Sequence, residues 1–456
     1  IWLGGEIGSC WVQHLAKVQY TDEDRYIPRV SVINNVWSSF YAASGNDIDI
    51  MIKVAKARQH DNYLGVAYVL KAYITSVVTD LWGDVPYSEA WKAAQGITSP
   101  AYDSQNSIYR DLIAKLDTAN MLLDPTGSKI EGDILYANNI TKWKKFANSL
   151  RLRLLLRMQA KDATYAGGIM TNMLVTNAAD YPLFESNADN AALKYLGSAP
   201  NNNPINENRK TRDDHRVSKT IIDFMYTNNP NLDWRVVVYA ELSEGGDDYV
   251  GLPNGLTSAK AAAYMTNGLK MTSKLGEYFT AATAPGMLMS YSELQFILAE
   301  IVQRNLVVGA PHTAQEYYEE GVLASYTQFG DVLAEKCVDF CPASWLPSTG
   351  TTVEDFYQDY LDNADGAWGA YGDPLYEIAY QKWLAMFDQG LQAWFEWRRT
   401  GYPVLTPAED GVNGGKIPVR IFYPSDEYAR NGSNVNAAVQ SQGADNLNTL
   451  VWWATN

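Results

Sequence analysis

Cationic side chains are too few in this sequence to form a nucleic-acid-binding surface. The 456 residues include 36 Lys and Arg against 52 Asp and Glu, which gives a net charge of −16 at neutral pH. A nucleic-acid-binding protein needs clustered cations that displace counterions from phosphates. The clearest basic run, within 142–157, follows helical spacing and indicates the flank of an apolar helix face. We therefore expect no nucleic-acid partner.

Cysteine and histidine are equally scarce. The three cysteines, Cys10, Cys337 and Cys341, are too few for a disulfide framework. Cys337 and Cys341 are close enough in sequence for either a local disulfide or two buried thiols, and both alternatives stay open. The four histidines lie far apart, without the spacing of a transition-metal motif. The sequence therefore predicts neither a metal site nor a cofactor.

Sequence motifs of nucleophilic, nucleotide and dinucleotide chemistry are missing. The chain has no Gly-x-Ser-x-Gly elbow, no phosphate-binding Gly-x-x-x-x-Gly-Lys and no Gly-x-Gly-x-x-Gly. Glycoside hydrolysis is harder to exclude, because it needs only two suitably separated carboxylates and 52 acidic residues supply many pairs. We expect a protein without catalytic residues and keep a glycosidase as the less favoured alternative.

Apolar runs are short. None reaches the roughly 18 residues of a membrane span, and the longest, 66–78, is interrupted by Lys71, Thr75 and Ser76. The chain begins at Ile1 without a basic and apolar leader, so we expect any signal peptide to have preceded it.

Helical periodicity is the strongest positive signal. In 63–81 the apolar residues recur every three or four positions, and we expect this helix to end at Gly83. Similar apolar stripes lie within 109–123, 143–158, 294–302 and 378–397. Only two short runs, 235–239 and 416–422, favour strands.

These helices follow one another in couples. The couples are 48–81 with 107–123, 141–159 with 167–175, and 290–304 with 314–329, and 374–398 is the last long helix. The pattern predicts a mainly α fold with about four tetratricopeptide-like helix pairs, within about 28–176 and 290–399, and few short strands.

Long irregular insertions separate the helix pairs, and no Pro/Gly/Ser-rich linker divides the chain. We expect one domain spanning 1–456. Loops of this length in a compact domain are usually functional, so we expect the ligand face within about 86–106, 181–289 and 400–456.

Aromatic residues are abundant, with 14 Trp, 30 Tyr and 12 Phe. Most of those on helices are expected in the core, whereas aromatic rings in loops can offer flat faces and hydrogen-bond donors to a ligand. The loop residues Trp91, Tyr102, Tyr249 and Asn254 are the predicted ligand contacts, because they combine ring faces with an amide in non-periodic segments.

Four segments, in order along the chain, resemble the SusD/RagB family of nutrient-binding outer-membrane lipoproteins of Bacteroidetes, in its SusD-like branch. The most recognisable is the turn Asp-Leu-Trp-Gly-Asp-Val-Pro-Tyr at 80–87, which ends the segment 67–90. The others are 143–154, 289–300 and 390–403, the last followed by 420–424 and 451–453.

This resemblance implies a non-catalytic protein that is lipid-anchored in the outer membrane and exposed at the cell surface. Such a protein captures an oligosaccharide, or a peptide in some members, and delivers it to a SusC-like TonB-dependent transporter. The anchoring cysteine is expected to precede Ile1, because Cys10 lacks an apolar segment before it. Binding residues vary with the ligand in this family, so the resemblance assigns none here.

Overall fold

The computed structural model describes residues 2–227, 232–244, 248–264, 271–340, 346–362 and 366–455. Cys337 is buried, whereas Cys341 lies outside the described residues, so the question of a Cys337–Cys341 disulfide stays open.

Helices dominate the described chain. Their bounds, in chain order, are α1 Ser9–Trp11, α2 Val30–Ser38, α3 Gly45–Arg58, α4 Asp61–Trp82, α5 Gln105–Leu122, α6 Ile140–Met158, α7 Ala163–Thr171, α8 Pro204–Arg209, α9 Lys219–Ile222, α10 Val236–Tyr239, α11 Ser258–Ala262, α12 Glu277–Thr280, α13 Tyr291–Gln303, α14 Ala314–Thr327, α15 Val332–Phe340, α16 Val353–Asp362, α17 Pro374–Ala385, α18 Gly390–Thr400 and α19 Ser425–Gln442. Short π-helical turns lie at Trp2–Gly8, Ser39–Ser44, Asn172–Thr176 and Asp223–Thr227.

The strands are short and pair in antiparallel twos. β1 (Leu15–Lys17) pairs with β5 (His215–Val217), β2 (Val85–Pro86) with β3 (Tyr102–Asp103), and β4 (Ala191–Leu193) with β6 (Gly286–Met289). The fold is therefore mainly α, as the sequence predicts.

The chain forms two compact units. Unit 1 comprises Ile1–Ile27, Glu185–Asn305 and His312–Ile417, and its α13 packs against both α14 and α17. Unit 2 comprises Pro28–Phe184, Leu306–Pro311 and Pro418–Asn456, and its successive helices α3 to α7 pack each on the next. The expectation of one domain over 1–456 stays a prediction.

The predicted apolar helix at 63–81 is confirmed as α4, which ends at Gly83 with a φ of 85°. By length and composition α4 could cross a membrane, with a mean hydropathy of 1.3 in an 18-residue window. This corrects the expectation that no segment is apolar enough for a span. Since 72% of that window is buried inside the protein, α4 has the character of a core helix.

Four expectations about local structure are wrong. The β-branched run 235–239 forms the helical turn α10, and 416–422 forms no strand. The segment 48–81, which was predicted as one half of a helix pair, forms two helices, because Gln59 adopts a left-handed φ of 54° between α3 and α4. The expected helix 374–398 is likewise divided into α17 and α18.

The segment 400–456, expected to be irregular, contains the 18-residue helix α19. Its sequence is rich in Asn, Ser and Gly, and Asn431 inside it has a non-helical φ of −137°. Residues of this kind compete with helical hydrogen bonding, so the local sequence gave little sign of a helix.

Candidate functional site

The turn after α4 is fixed by the C-terminal segment of unit 2. The Trp82 indole Nε1 donates to the Phe422 carbonyl (3.0 Å), and the Tyr423 hydroxyl donates to the Asp84 carbonyl (2.5 Å). The Asp84 backbone N–H donates to Gln442 Oε1 at 3.1 Å. Burial raises the pKa of the Asp84 carboxyl, which accepts the Gln105 N–H. The turn therefore serves as scaffold for the loop that follows it.

The loop 87–101 is closed at its base by carboxylates. β2 and β3 pair at its two ends, and Asp103 Oδ2 accepts hydrogen bonds from the backbone N–H groups of Tyr87 (3.1 Å) and Ser88 (2.7 Å). Glu89 Oε2 accepts from the Ala101 N–H at 2.7 Å. These bonds hold the two arms of the loop together and position Trp91 between them.

Trp91 packs beside Tyr41, and both residues are partly accessible. Their centroids are 5.8 Å apart with the planes 30° from parallel, and the Trp91 Nε1 donates to the Tyr41 carbonyl at 2.7 Å. The Trp91 backbone has a left-handed φ of 59°. A Cβ on Gly45 would collide with the indole, so this glycine provides the space in which Trp91 lies.

Lys71, on α4, brings a cation to these rings. Its ammonium lies 4.7 Å from the Tyr87 ring centroid and 5.6 Å from that of Trp91, within cation–π range. Burial lowers the pKa of Lys71, and the nearby Lys115 lowers it further. Across the part of the chain that the structure describes, no carboxylate lies within ion-pair distance of this ammonium, so its N–H donors can serve a ligand.

Tyr102 extends the surface toward α19. Its ring stacks on the buried Trp37 (6.3 Å, 24° between planes), and Trp37 in turn lies 4.7 Å from Tyr41. The Tyr102 hydroxyl donates to Glu427 Oε2 at 2.8 Å. Burial, followed by the charge of Glu427, raises the pKa of Tyr102 far above its usual value, so the phenol stays neutral.

We call Tyr41, Lys71, Tyr87, Trp91 and Tyr102 the aromatic surface. It combines partly accessible ring faces, one cation and neutral phenols, with the carboxylates Asp103, Asp111 and Glu427 at its border. Ring faces of this kind pack against the C–H groups of sugars, and polar groups at the rim can hydrogen-bond to hydroxyl or amide groups. These contacts can bind a ligand without any covalent step.

Two of the four sequence-predicted contacts, Trp91 and Tyr102, thus come together on the aromatic surface. Tyr249 and Asn254 belong to unit 1 and are only 6% and 8% exposed. The Tyr249 ring packs edge-on against Tyr226. A ligand role for these two residues stays a prediction.

Asn254 is occupied inside the protein. Its Nδ2 donates to the carbonyls of Cys10 (3.1 Å) and Leu15 (2.7 Å) and to Asp24 Oδ1 (2.8 Å), while its Oδ1 accepts from the Ser218 hydroxyl. A ligand would have to displace one of these bonds, so the geometry favours a scaffold role.

The sequence analysis missed Tyr41, Lys71 and Tyr87 as members of the surface. Lys71 carried a signal, because it interrupts an otherwise apolar helix, but it was interpreted only as a break in an apolar run. Tyr87 was seen as the end of the turn motif. Among the described residues, no group of three or more His, Cys, Asp or Glu side chains is arranged to hold a metal ion.

A helical-pair fold that carries an aromatic, loop-borne surface defines a class of helical binding proteins. The family model for SusD-like proteins, described as starch-binding and associating with the outer membrane, matches residues 5–424. The chain belongs to this SusD-like family, whose proteins are binding proteins.

Solved structures agree with this assignment. A chitin-binding protein has 27% sequence identity and a TM-score of 0.81, covering 99% of this chain and 94% of its own. A chitin-binding SusD homologue from Flavobacterium johnsoniae has 25% identity and a TM-score of 0.79, covering 99% and 93%. A SusD homologue from Bacteroides fragilis has 27% identity and a TM-score of 0.76, covering 99% and 96%. No curated protein matches the sequence significantly.

Proposed function

We propose that this protein captures an oligosaccharide at the cell surface, without cleaving it, and delivers it to a SusC-like TonB-dependent transporter. The observation that carries the proposal is the aromatic surface, in which Trp91 and Tyr41 lie side by side with Lys71 above the indole. Neighbouring rings at this spacing form a platform for successive sugar units. The lipid anchor and the docking of the helix pairs on the transporter are parts of the same proposal, checked by co-purification from native membranes.

Chitin oligosaccharides are the favoured ligand class. Two structural relatives with at least 25% identity are chitin-binding. An N-acetyl group brings an amide carbonyl, which can accept a hydrogen bond from the Lys71 ammonium while the pyranose ring covers the indole of Trp91. Plain glucans lack this acceptor, so they would gain less from Lys71.

Glycoside hydrolysis, the less favoured alternative, needs a proton donor with a raised pKa opposite a second carboxylate. Asp388 has the raised pKa of such a proton donor, since burial raises its pKa to about 7. It lines a cavity in unit 1 whose other lining residues carry no carboxylate, and Glu293, the acid that acts on it, is fully buried outside that lining. The geometry thus supports binding over hydrolysis, and peptide capture stays an outcome for the binding experiment to decide.

The test is calorimetric titration of the protein with chitin oligosaccharides, starch oligosaccharides and short peptides, followed by product analysis after long incubation. We expect saturable chitin-oligosaccharide binding with a dissociation constant on the order of micromolar or weaker, because a carrier must release its cargo. The ligand should be recovered at its original length. Peptide binding alone, or shortened sugars, would overturn the proposal.

A further inference from the structure

Unit 1 contains a cavity of about 180 Å³, and none of the residues that line it belongs to the aromatic surface. It is formed by the N-terminal segment, the start of α8, the helical turn α12, the strand β6 and the turn between α17 and α18. Its lining includes Leu15, Tyr195, Asn203, Leu275, Gly286 and Asp388. An apolar cavity of about 150 Å³ holds a six-membered ring, so this cavity can hold a single ring-sized ligand.

The walls of the cavity are mostly apolar and fixed. Leu15, Leu275, Phe279 and Phe387 are between 4% and 7% exposed. The N-terminal segment that supplies Gly4 and Gly5 packs on α18. A Cβ on Gly8 would collide with the Gly390 backbone there, so the two backbones are in close contact. The cavity is therefore part of the fold and does not depend on mobile side chains for its shape.

Asp388 is the charged group of the lining. It lies in the turn between α17 and α18 and keeps part of its surface accessible to the cavity. Within the described stretches of chain, no other residue donates a hydrogen bond to this carboxyl and no cation pairs with it. Its donor among the described residues is its own backbone N–H, so the carboxyl keeps hydrogen-bonding capacity open toward the cavity.

The electrostatic surroundings favour a positively charged ligand. The charged group that acts on Asp388 is Glu293, on α13, and the charge of Asp388 in turn raises the pKa values of the neutral phenols Tyr239 and Tyr278. None of them supplies a positive charge, and the carboxylate of Glu293 repels the charge of Asp388. A ligand ammonium would provide the missing charge-assisted hydrogen bond, which is roughly twice as strong as a neutral one.

Tyr195 supplies a ring face at the cavity wall. A Cβ on Gly286 would lie 3.0 Å from Cε2 of Tyr195, so the glycine lets the ring lie against strand β6. The side-chain amide of Asn203 is hydrogen-bonded within the protein, because its Nδ2 donates to the Ala284 carbonyl and its Oδ1 accepts from the Ile205 N–H. The recognition elements open to a ligand are thus an apolar ring-sized space, one aromatic face and one carboxyl that pairs with no cation among the described residues.

We propose that this cavity binds a small cyclic primary amine, of which a 2-amino sugar is the representative, with its ring on Tyr195 and its ammonium on the Asp388 carboxylate. The site is independent of the aromatic surface and does not rest on the proposed function.

The test uses calorimetric titration of the full chain with glucosamine, N-acetylglucosamine and glucose. We expect glucosamine to bind at least about tenfold more tightly than either neutral sugar, because only it carries the ammonium. Asp388→Asn should abolish this preference, whereas Glu354→Gln, a change of an exposed acid in the same unit, should leave it intact. Trp91→Ala should also leave it intact, which separates this site from the aromatic surface.

A second measurement covers the case in which Asp388→Asn disturbs the fold. Binding of a cation should expel the proton from a carboxyl whose pKa is about 7. The binding enthalpy at pH 7 should therefore vary with the ionisation enthalpy of the buffer for glucosamine and not for glucose. Equal affinities for glucosamine and N-acetylglucosamine, or no binding of the amine, would overturn the proposal.

Discussion

Gly83 shows how a single residue sets the scaffold of the ligand-binding loop. Its φ of 85° and ψ of −122° are unfavourable for any residue with a side chain, and an added Cβ would collide with Gln442 Oε1. Gly96 has a similar φ of 88° but open space around its Cβ position. Gly96, with a ψ of 2°, therefore measures the cost of a left-handed backbone alone, whereas Gly83 adds a ψ that only glycine adopts readily and the contact with Gln442.

We predict that Gly83→Ala lowers the free energy of unfolding by about 2–4 kcal/mol, from strain plus the displaced hydrogen bond of Gln442. Gly96→Ala should cost only about 1 kcal/mol. Chemical denaturation measures both. Equal losses for the two variants would contradict a structural role for the Gln442 contact.

Asp388 predicts a pH dependence of stability. Burial raises its pKa in the folded protein to about 7, from an ordinary value of 3.8, so the folded protein binds the proton more tightly than the unfolded chain. This contribution to stability is fully present below about pH 4 and is lost as the pH rises through about 7. Asp388→Asn should therefore raise the melting temperature at pH 8 and leave it nearly unchanged at pH 4. A stabilisation that is the same at both pH values would exclude this explanation.

At the scale of elements, the segments that resemble the SusD/RagB family carry buried polar contacts of the scaffold. In unit 2, Asp80 accepts hydrogen bonds from Trp453 Nε1 (2.6 Å) and Arg157 Nη1 (2.7 Å). In unit 1, Arg399 Nη1 donates to Glu300 Oε1 at 2.7 Å. Removing one partner of such a pair leaves a buried charge unsatisfied, so these residues are needed for the scaffold. The segments that contain them therefore identify the fold and not the ligand.

The helix α19 supports the loop that carries the aromatic surface. Asn431 Nδ2 donates to the Pro100 carbonyl at 2.8 Å, Asn434 Nδ2 donates to the same oxygen at 3.1 Å, and Glu427 accepts from the Tyr102 hydroxyl. These bonds connect the helix to the base of the loop.

We predict that Asn431→Ala destabilises the protein by about 1 kcal/mol and speeds amide hydrogen exchange in the loop around 99–102. Asn436→Ala, at an exposed position of the same helix, is the matched control and should change neither quantity. Unchanged exchange in the loop with Asn431→Ala would mean that α19 does not restrain it.

How well an element could be predicted depended on how much of its structure is encoded locally. α4 has an apolar stripe and a terminating glycine, and both are local signals. α10 was predicted as a strand, because three consecutive valines favour strands. Its helical turn is held by long-range contacts, since the Tyr239 hydroxyl donates to the Leu384 carbonyl and Arg235 donates to the Ser325 hydroxyl. α19 is formed by a sequence of weak helix formers, and its long-range hydrogen bonds could not be seen in the sequence.

At the scale of the whole chain, the fold and family could be predicted, while the site could be predicted only in part. Trp91 and Tyr102 were found because they are aromatic residues in a non-periodic segment, although Tyr102 lies in the short strand β3. Tyr41 and Lys71 join them from other elements through tertiary contacts, at 5.8 Å and 5.6 Å from the Trp91 ring. Asn254 has the same loop setting as Trp91, but the structure uses its amide to hold Cys10 and Leu15.

The most direct test of the proposed function is a titration of a chitin oligosaccharide into the wild type and two tryptophan variants. Trp91→Ala removes the central ring of the aromatic surface, and Trp452→Ala removes a partly accessible tryptophan of the same unit that packs on Tyr109. With melting temperatures recorded for each, Trp91→Ala should weaken binding at least about tenfold, Trp91→Phe should weaken it less, and Trp452→Ala should not weaken it. Full affinity in a folded Trp91→Ala protein would contradict binding at the aromatic surface.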